Sequence, residues 1–146
     1  MTMPPRVVPA ETELTEPYWA AAREGVIAVQ QCSSCEHMWH PPAPVCPRCR
    51  TASFRWVRTA GTGRLYSYTR VEHAAHPAVA GALPYSVALI ELDEGPRVLC
   101  GLLDDTGPTL GQQVTIELGR AAGGLDLPMA RPVRDGRDAT GPGPRA

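Results

Sequence analysis

Two cysteine pairs, Cys32-Ser33-Ser34-Cys35 and Cys46-Pro47-Arg48-Cys49, fall within 18 residues and constrain the fold more than any other feature. Each C-x-x-C turn presents two thiolates on one knuckle, and zinc takes four soft ligands in a tetrahedron. The ten residues between the pairs include Pro41, Pro42 and Pro44, which can return the chain so that the knuckles face each other. The gap is shorter than the commonest spacing between ribbon knuckles. The spacing points to one structural Zn²⁺ on Cys32, Cys35, Cys46 and Cys49; another thiolate-bound metal and redox thiols are the alternatives. His37 and His40 lie inside the connection, where each can be a substitute ligand or an ordinary packed or exposed side chain. A site filled by four protein ligands has no open position for water and does no hydrolytic chemistry. Its contribution is folding free energy, on the order of 10 kcal/mol.

That contribution matters because the core is thin. The chain has 146 residues, one compact domain or two very small modules, with 28 Val, Ile, Leu and Phe among them. So low a count would suggest disorder if the net charge were large, but it is −1. No apolar stretch is long enough to span a membrane, and Met1-Thr2-Met3-Pro4-Pro5-Arg6 lacks the layout of a secretory signal. A cytoplasmic protein is the expectation, and its five cysteines then point to metal or free thiols before disulfides. All 14 basic residues are Arg and none is Lys, which excludes Schiff-base and lysine acid–base chemistry. The near-neutral balance makes nucleic acid an unlikely general partner.

Residues 1–10 carry three prolines and read as a flexible arm. A short helix is predicted over 16–24, with Thr15 as side-chain N-cap, Pro17 in the first turn and Gly25 at the left-handed C′ position. Tyr18, Trp19 and Ala22 form its apolar stripe, and a helix this short must dock on something. Val26–Gln31 then reads as a strand leading into the cysteines. Beyond them the pattern is β: 54–59, 63–73, 85–93, 97–103, 112–118 and 128–133 are apolar or aromatic, with Gly, Pro and Asp between them. Asp93-Glu94-Gly95-Pro96 is the clearest hairpin turn, and the loop 74–84 is long enough to invite a function. The organisation is an arm (1–10), a helix and lead-in strand (11–31), a ribbon (32–53), a β unit (54–133) and a disordered tail (134–146).

From Arg48 to Arg70 there are six arginines (48, 50, 55, 58, 64 and 70) and no acid, while residues 11–24 hold four Glu and one Arg. Arginine forks match phosphates and carboxylates. The run admits a solvated face paired with the acidic helix, a site for a phosphate-bearing ligand such as coenzyme A or an acidic partner, or a single-stranded nucleic-acid surface. Trp56, Tyr66 and Tyr68 interleave with it as stacking platforms do, although strand aromatics are more often core. Catalytic candidates are few. His73 and His76 flank the long loop and can line a ligand or partner surface, Glu72 adjoins His73, and Ser67 and Ser86 lie in strands, but no nucleophile motif or phosphate loop accompanies them. Cys100 reads as a small buried apolar residue, with a reactive thiol as the alternative.

The order of several segments resembles the zinc-ribbon/OB-fold acyl-CoA-associated proteins, domain of unknown function 35. They are Thr15-Glu16-Pro17-Tyr18-Trp19, Val29-Gln30-Gln31-Cys32-Ser33-Ser34-Cys35, the Pro41–Cys49 stretch, Gly61–Thr69, Pro84–Gly95 and Leu110-Gly111-Gln112-Gln113-Val114. The resemblance covers roughly residues 12–133. It implies a mostly β architecture: an N-terminal helix, a rubredoxin-like zinc ribbon and a C-terminal OB barrel over 54–133. It also implies a non-catalytic subunit that docks on a thiolase-like enzyme or a hot-dog-fold enoyl-CoA hydratase and helps form its acyl-CoA site. The arginine run and the loop histidines make Arg48, Arg50, Arg64, Arg70, His73 and His76 the candidate ligand or partner surface. Glu36 and Arg50 stand where many members carry glycine after a knuckle, which predicts less regular knuckle turns. Ala43 replaces a common arginine, which weakens the case for a phosphate contact there. Two further readings stay open: a single-stranded nucleic-acid-binding OB protein and a stand-alone acyl-CoA enzyme.

Overall fold

The structure, a computed structural model, describes residues 9–120 and 126–134. Residues 1–8 of the expected arm (1–10) and 135–146 of the expected tail (134–146) lie outside the described residues. Helix α1 (Glu16–Arg23) forms as expected, with Tyr18, Trp19, Ala21 and Ala22 buried. Its end is a Schellman turn: Gly25 (φ 81°) donates to Ala22 O at 2.9 Å and Val26 to Ala21 O at 3.0 Å. Its start corrects the expected cap. Thr15 has helical backbone angles and makes no side-chain cap bond. A turn already precedes it: Glu16 N bonds Thr12 O at 2.8 Å, and Thr15 N also reaches Thr12 Oγ1 at 3.2 Å, so the capping hydroxyl stands one turn earlier than predicted.

The chain then builds a three-stranded antiparallel sheet in the order β2-β1-β3, from β1 (Ala28–Cys32), β2 (Met38–Trp39) and β3 (Phe54–Arg58). The strand expected from residue 54 is present, but it pairs with β1 along its length, from Cys32↔Phe54 to Ala28↔Arg58, and so closes the ribbon sheet instead of opening the barrel.

Five strands form a closed barrel in the order β4-β5-β6-β8-β7: β4 (Thr62–Val71), β5 (Tyr85–Leu92), β6 (Arg97–Leu102), β7 (Gln113–Arg120) and β8 (Asp126–Pro132). All pairings are antiparallel except β6–β8, which is parallel. A three-strand meander closed through two crossed strands is the OB arrangement. Burial alternates along β5, where Ser86, Ala88, Ile90 and Leu92 face inward. The predicted hairpin turn joins β5 to β6, with Gly95 at φ 113°. The long loop contains a 3₁₀ turn, Pro77–Ala82, with no buried residue.

Helix, ribbon and barrel share one core. Tyr18, Trp19 and Ala22 from α1, and Ile27 and Val29 at the ribbon's entry, pack in the same cluster as Leu65, Ile90, Val98 and Val114 of the barrel. The thin apolar supply is therefore concentrated in a single place, and a second small cluster of Cys32, Trp39 and Cys46, packed by Phe54, sits under the cysteines.

Candidate metal centre

The four expected ligands converge. The Sγ atoms of Cys32, Cys35, Cys46 and Cys49 all lie within 4.8 Å of one another, with Cys32–Cys49 at 3.5 Å and Cys35–Cys46 at 3.7 Å. A tetrahedron with Zn–S bonds of about 2.3 Å has edges of about 3.8 Å, so the spacing and the all-sulfur donor set fit one Zn²⁺. Cys32 and Cys46 are buried, Cys35 is half-buried and Cys49 is exposed.

Both knuckles are built by the same backbone bonds. Glu36 N donates to Cys32 O (3.2 Å) and Cys32 N to His37 O (2.9 Å); Arg50 N donates to Cys46 O and Cys46 N to Thr51 O, both at 2.9 Å. Ser34 N and Cys35 N point at Cys32 Sγ, at 3.4 and 3.5 Å. The less regular turns expected from Glu36 and Arg50 are not found. Both adopt the left-handed conformation that glycine would take, at φ 61° and 67°. A non-glycine residue there costs roughly 1–2 kcal/mol, which the duplicated bonds and the metal offset.

One supporting residue carried no signal strong enough to single it out. Gln30, on β1 and fully buried, donates from Nε2 to Ala43 O (2.9 Å) and accepts from Ala43 N at Oε1 (2.7 Å). It pins the proline-rich return loop to the sheet and so sets where Cys46 arrives.

Neither histidine of the loop joins the sulfurs. His37 stacks near Trp39, with centroids 6.4 Å apart and planes at 15°. His40 packs on Tyr18, centroids 5.3 Å apart, and burial pushes its pKa down to about 4. Its neutral form is therefore the folded one. Below the ordinary value near 6.5 the unfolded chain takes up a proton that folded His40 refuses, so stability falls by about 1.4 kcal/mol per pH unit between pH 6.5 and 4. His40→Phe is expected to remove that slope: comparing urea unfolding of zinc-loaded protein at pH 7 and 5, the parent should lose about 2 kcal/mol more than the variant. Equal losses would refute the burial argument. Cys100 is buried in the barrel, and desolvation raises its thiol to about 12, as suits a core residue.

The arginine run is divided by the fold. Arg55 binds Gln31 Oε1 at 2.6 Å, Arg58 pairs with Glu24 at 2.6 Å, and Arg64 donates to Gly111 O at 3.0 Å. Arg70 pairs with Glu72 (2.8 Å) and Asp105 (3.3 Å). Arg48 and Arg50 make no ion pair among the described residues; Arg48 lines a cleft of about 370 Å³ between the second knuckle and the Glu94–Pro96 turn, with Cys35, Glu36 and His37. His76 is exposed and its Nδ1 accepts from Ala78 N at 3.1 Å, capping the 3₁₀ turn. His73 is exposed, and Ser86 is buried with its hydroxyl donating to Asp105 at 2.6 Å. Among the described residues no hydrogen bond joins either histidine to a serine. Tyr66 is covered on one face by Arg97 (3.7 Å), and Trp56 packs against the shared core.

Comparison with known proteins gives a consistent picture. Residues 19–55 match the family described as ChsH2, rubredoxin-like zinc ribbon domain, and residues 56–118 match ChsH2, C-terminal OB-fold domain. The chain is 37% identical over 118 residues to a probable enoyl-CoA hydratase alpha subunit of Thermomonospora curvata, covering 80% of this chain and 36% of that protein. It is 33% identical over 75 residues to a DUF35 domain-containing scaffold protein of Methanocaldococcus jannaschii, about half of each chain. The chain thus spans about a third to a half of these relatives' lengths. A solved chain of the Ltp2-ChsH2(DUF35) aldolase is 35% identical, with a TM-score of 0.75 over 86% of this chain and 98% of that one. With two adjoining matches reaching from α1 through most of the barrel, the chain belongs to the ChsH2-type DUF35 family of zinc-ribbon and OB-fold proteins.

Proposed function

We propose that this chain is a non-catalytic, zinc-containing accessory subunit that docks on a thiolase-like acyltransferase or aldolase, or on a hot-dog-fold enoyl-CoA hydratase, and helps form its acyl-CoA site. The observation that carries the reading is the overlay on nearly the whole of a 35% identical chain of an aldolase. The relatives named as a hydratase alpha subunit and as scaffold proteins support it. The chemistry of the chain agrees. Four of its five thiols are committed to a closed metal site, the fifth is buried, and the serines and histidines are dispersed. Arg48 and Arg50, which make no ion pair among the described residues, are the natural contacts for a phosphate of coenzyme A or for the partner at the ribbon. A cytoplasmic location suits thiols that need a reducing compartment; among the described residues no helix is long and apolar enough to cross a membrane.

Purification from the cells that make the protein tests this. A thiolase-like or hydratase-like subunit should co-elute in fixed stoichiometry, with acyl-CoA turnover by the complex and none by this chain alone. A clean monomer that binds single-stranded DNA with a steep salt dependence and ignores coenzyme A would favour the nucleic-acid reading. Turnover by the isolated chain that is lost in His73→Ala or His76→Ala would favour a stand-alone enzyme.

A further inference from the structure

An antiparallel sheet that faces water normally turns polar residues outward. On the outer wall of β4–β5–β6 the two rows centred on Leu89 and Val87 carry no charge. With Ser86, Ala88 and Ile90 turned into the barrel, Val87 and Leu89 face out, and the register sets Leu89 between Ser67 and Leu99. Leu99 is 63% exposed. The next row, Thr69, Val87 and Gly101, is also uncharged. Between β4 and β5 the chain forms the 3₁₀ turn Pro77–Ala82, whose six residues, Pro-Ala-Val-Ala-Gly-Ala, include none that is buried. From His73 to Ile90 there is no Asp, Glu, Lys or Arg.

The charges at the margins are held by local partners. Glu91 pairs with Arg97 at 3.1 Å, Arg64 is turned to Gly111 O, and Arg70 pairs with Glu72. Other parts of the surface carry exposed ion pairs, such as Glu117–Arg131 and Asp104–Arg134, as a solvated face does. A contiguous apolar area rimmed by polar groups marks an interaction site, and depletion of charge is what distinguishes the buried core of a stable interface.

We propose that this wall, from Leu99 and Leu89 to the Pro77–Ala82 turn, is the face that seats the enzyme subunit. The proposal rests on the accessory-subunit reading and names the surface that it uses. Charge complementarity selects the occupant: the wall offers no charge and asks for none, so its match is an uncharged, apolar face of a protein subunit. A polyanion would gain nothing here. Arg48 and Arg50, on the second knuckle, lie outside this face and stay available for a ligand.

Site-specific photo-crosslinking in the cells that make the protein tests the proposal. p-Benzoylphenylalanine is placed at position 99, at position 79 or, as a control on the ion-paired face, at position 131; the crosslinked product is identified by mass spectrometry. Crosslinks from 79 and 99, but not 131, to a thiolase-fold or hot-dog-fold subunit are the expected result. Crosslinks to that subunit from 131 alone overturn the surface while leaving the accessory-subunit reading intact. Crosslinks to a second copy of this chain overturn the occupant, and a monomer with no crosslink from any position overturns both. Leu99→Asp and Val79→Asp, each with its zinc content and far-UV circular dichroism unchanged, should weaken association with the identified subunit about tenfold or more. Unchanged affinity in both variants also overturns the proposal.

Discussion

Stripping the metal, or replacing Cys46 by Ser, is expected to unfold the ribbon and to take much of the chain's stability with it. A structural zinc supplies on the order of 10 kcal/mol, which matches the whole net stability of an ordinary domain, about 5–15 kcal/mol. Beneath the cysteines there is little to replace it: the second cluster contains Cys32, Trp39 and Cys46, so two of its three buried members are themselves ligands. β1 then couples the loss to the barrel, because Ile27 and Val29 at the ribbon's base are buried in the barrel's own core. The parent should contain one zinc per chain by elemental analysis. Cys46→Ser and chelator-treated parent should lose the metal, expose Trp39 and shift its emission to the red, and lose a cooperative thermal transition. Cys100→Ser is the internal control, since that thiol is equally buried but lies outside the cluster. It should lose packing energy and keep the zinc. Metal-free protein with an unaltered transition would refute the claim that the sulfurs hold this fold together.

The metal centre was legible because its chemistry is local. Four thiols at knuckle spacing leave few arrangements open, and the structure brings those four sulfurs together. The helix was legible from Pro17 and Gly25 for the same reason. What local reading handles badly is pairing. Phe54–Arg58 has the same β-forming character whether it joins β1 or the barrel, and only the tertiary register with Ala28–Cys32 decides. Glu36 and Arg50 show the opposite error: a rule based on glycine underestimates how far two backbone bonds per knuckle, closed by a metal, can hold an ordinary residue at positive φ. The arginine run is a third case. Six like charges in sequence suggest one patch, yet alternation along strands and acids from distant segments, Glu24 and Asp105 among them, divide it. Gln30 has no motif of its own, and its role exists only because Ala43, 13 residues away, returns beside it.

Gly63→Ala is the single-atom change expected to damage the barrel most. Gly63 pairs on one side with Leu92 of β5 and on the other with Val114 of β7, so it sits where the sheet closes on itself. A Cβ at this position would lie 2.3 Å from Glu91 O and 3.0 Å from Leu92 Cα, both backbone atoms. Relief by a side-chain rotation is therefore impossible, and β4 must move away from β5. In an open sheet the edge could yield; here any shift away from β5 drives β4 against β7. Overpacking that the backbone must absorb costs about 1–3 kcal/mol in a core, and loss of ladder bonds at the closure adds to it, so a fall of about 3 kcal/mol or more in urea unfolding is expected. Gly81→Ala provides the comparison, because nothing lies within 4 Å of its added Cβ and its φ is not in the left-handed region. That variant should match the parent to within about 0.5 kcal/mol. If Gly63→Ala were as mild as Gly81→Ala, β4 and β5 would have to separate freely at this point, which a closed five-stranded barrel does not permit.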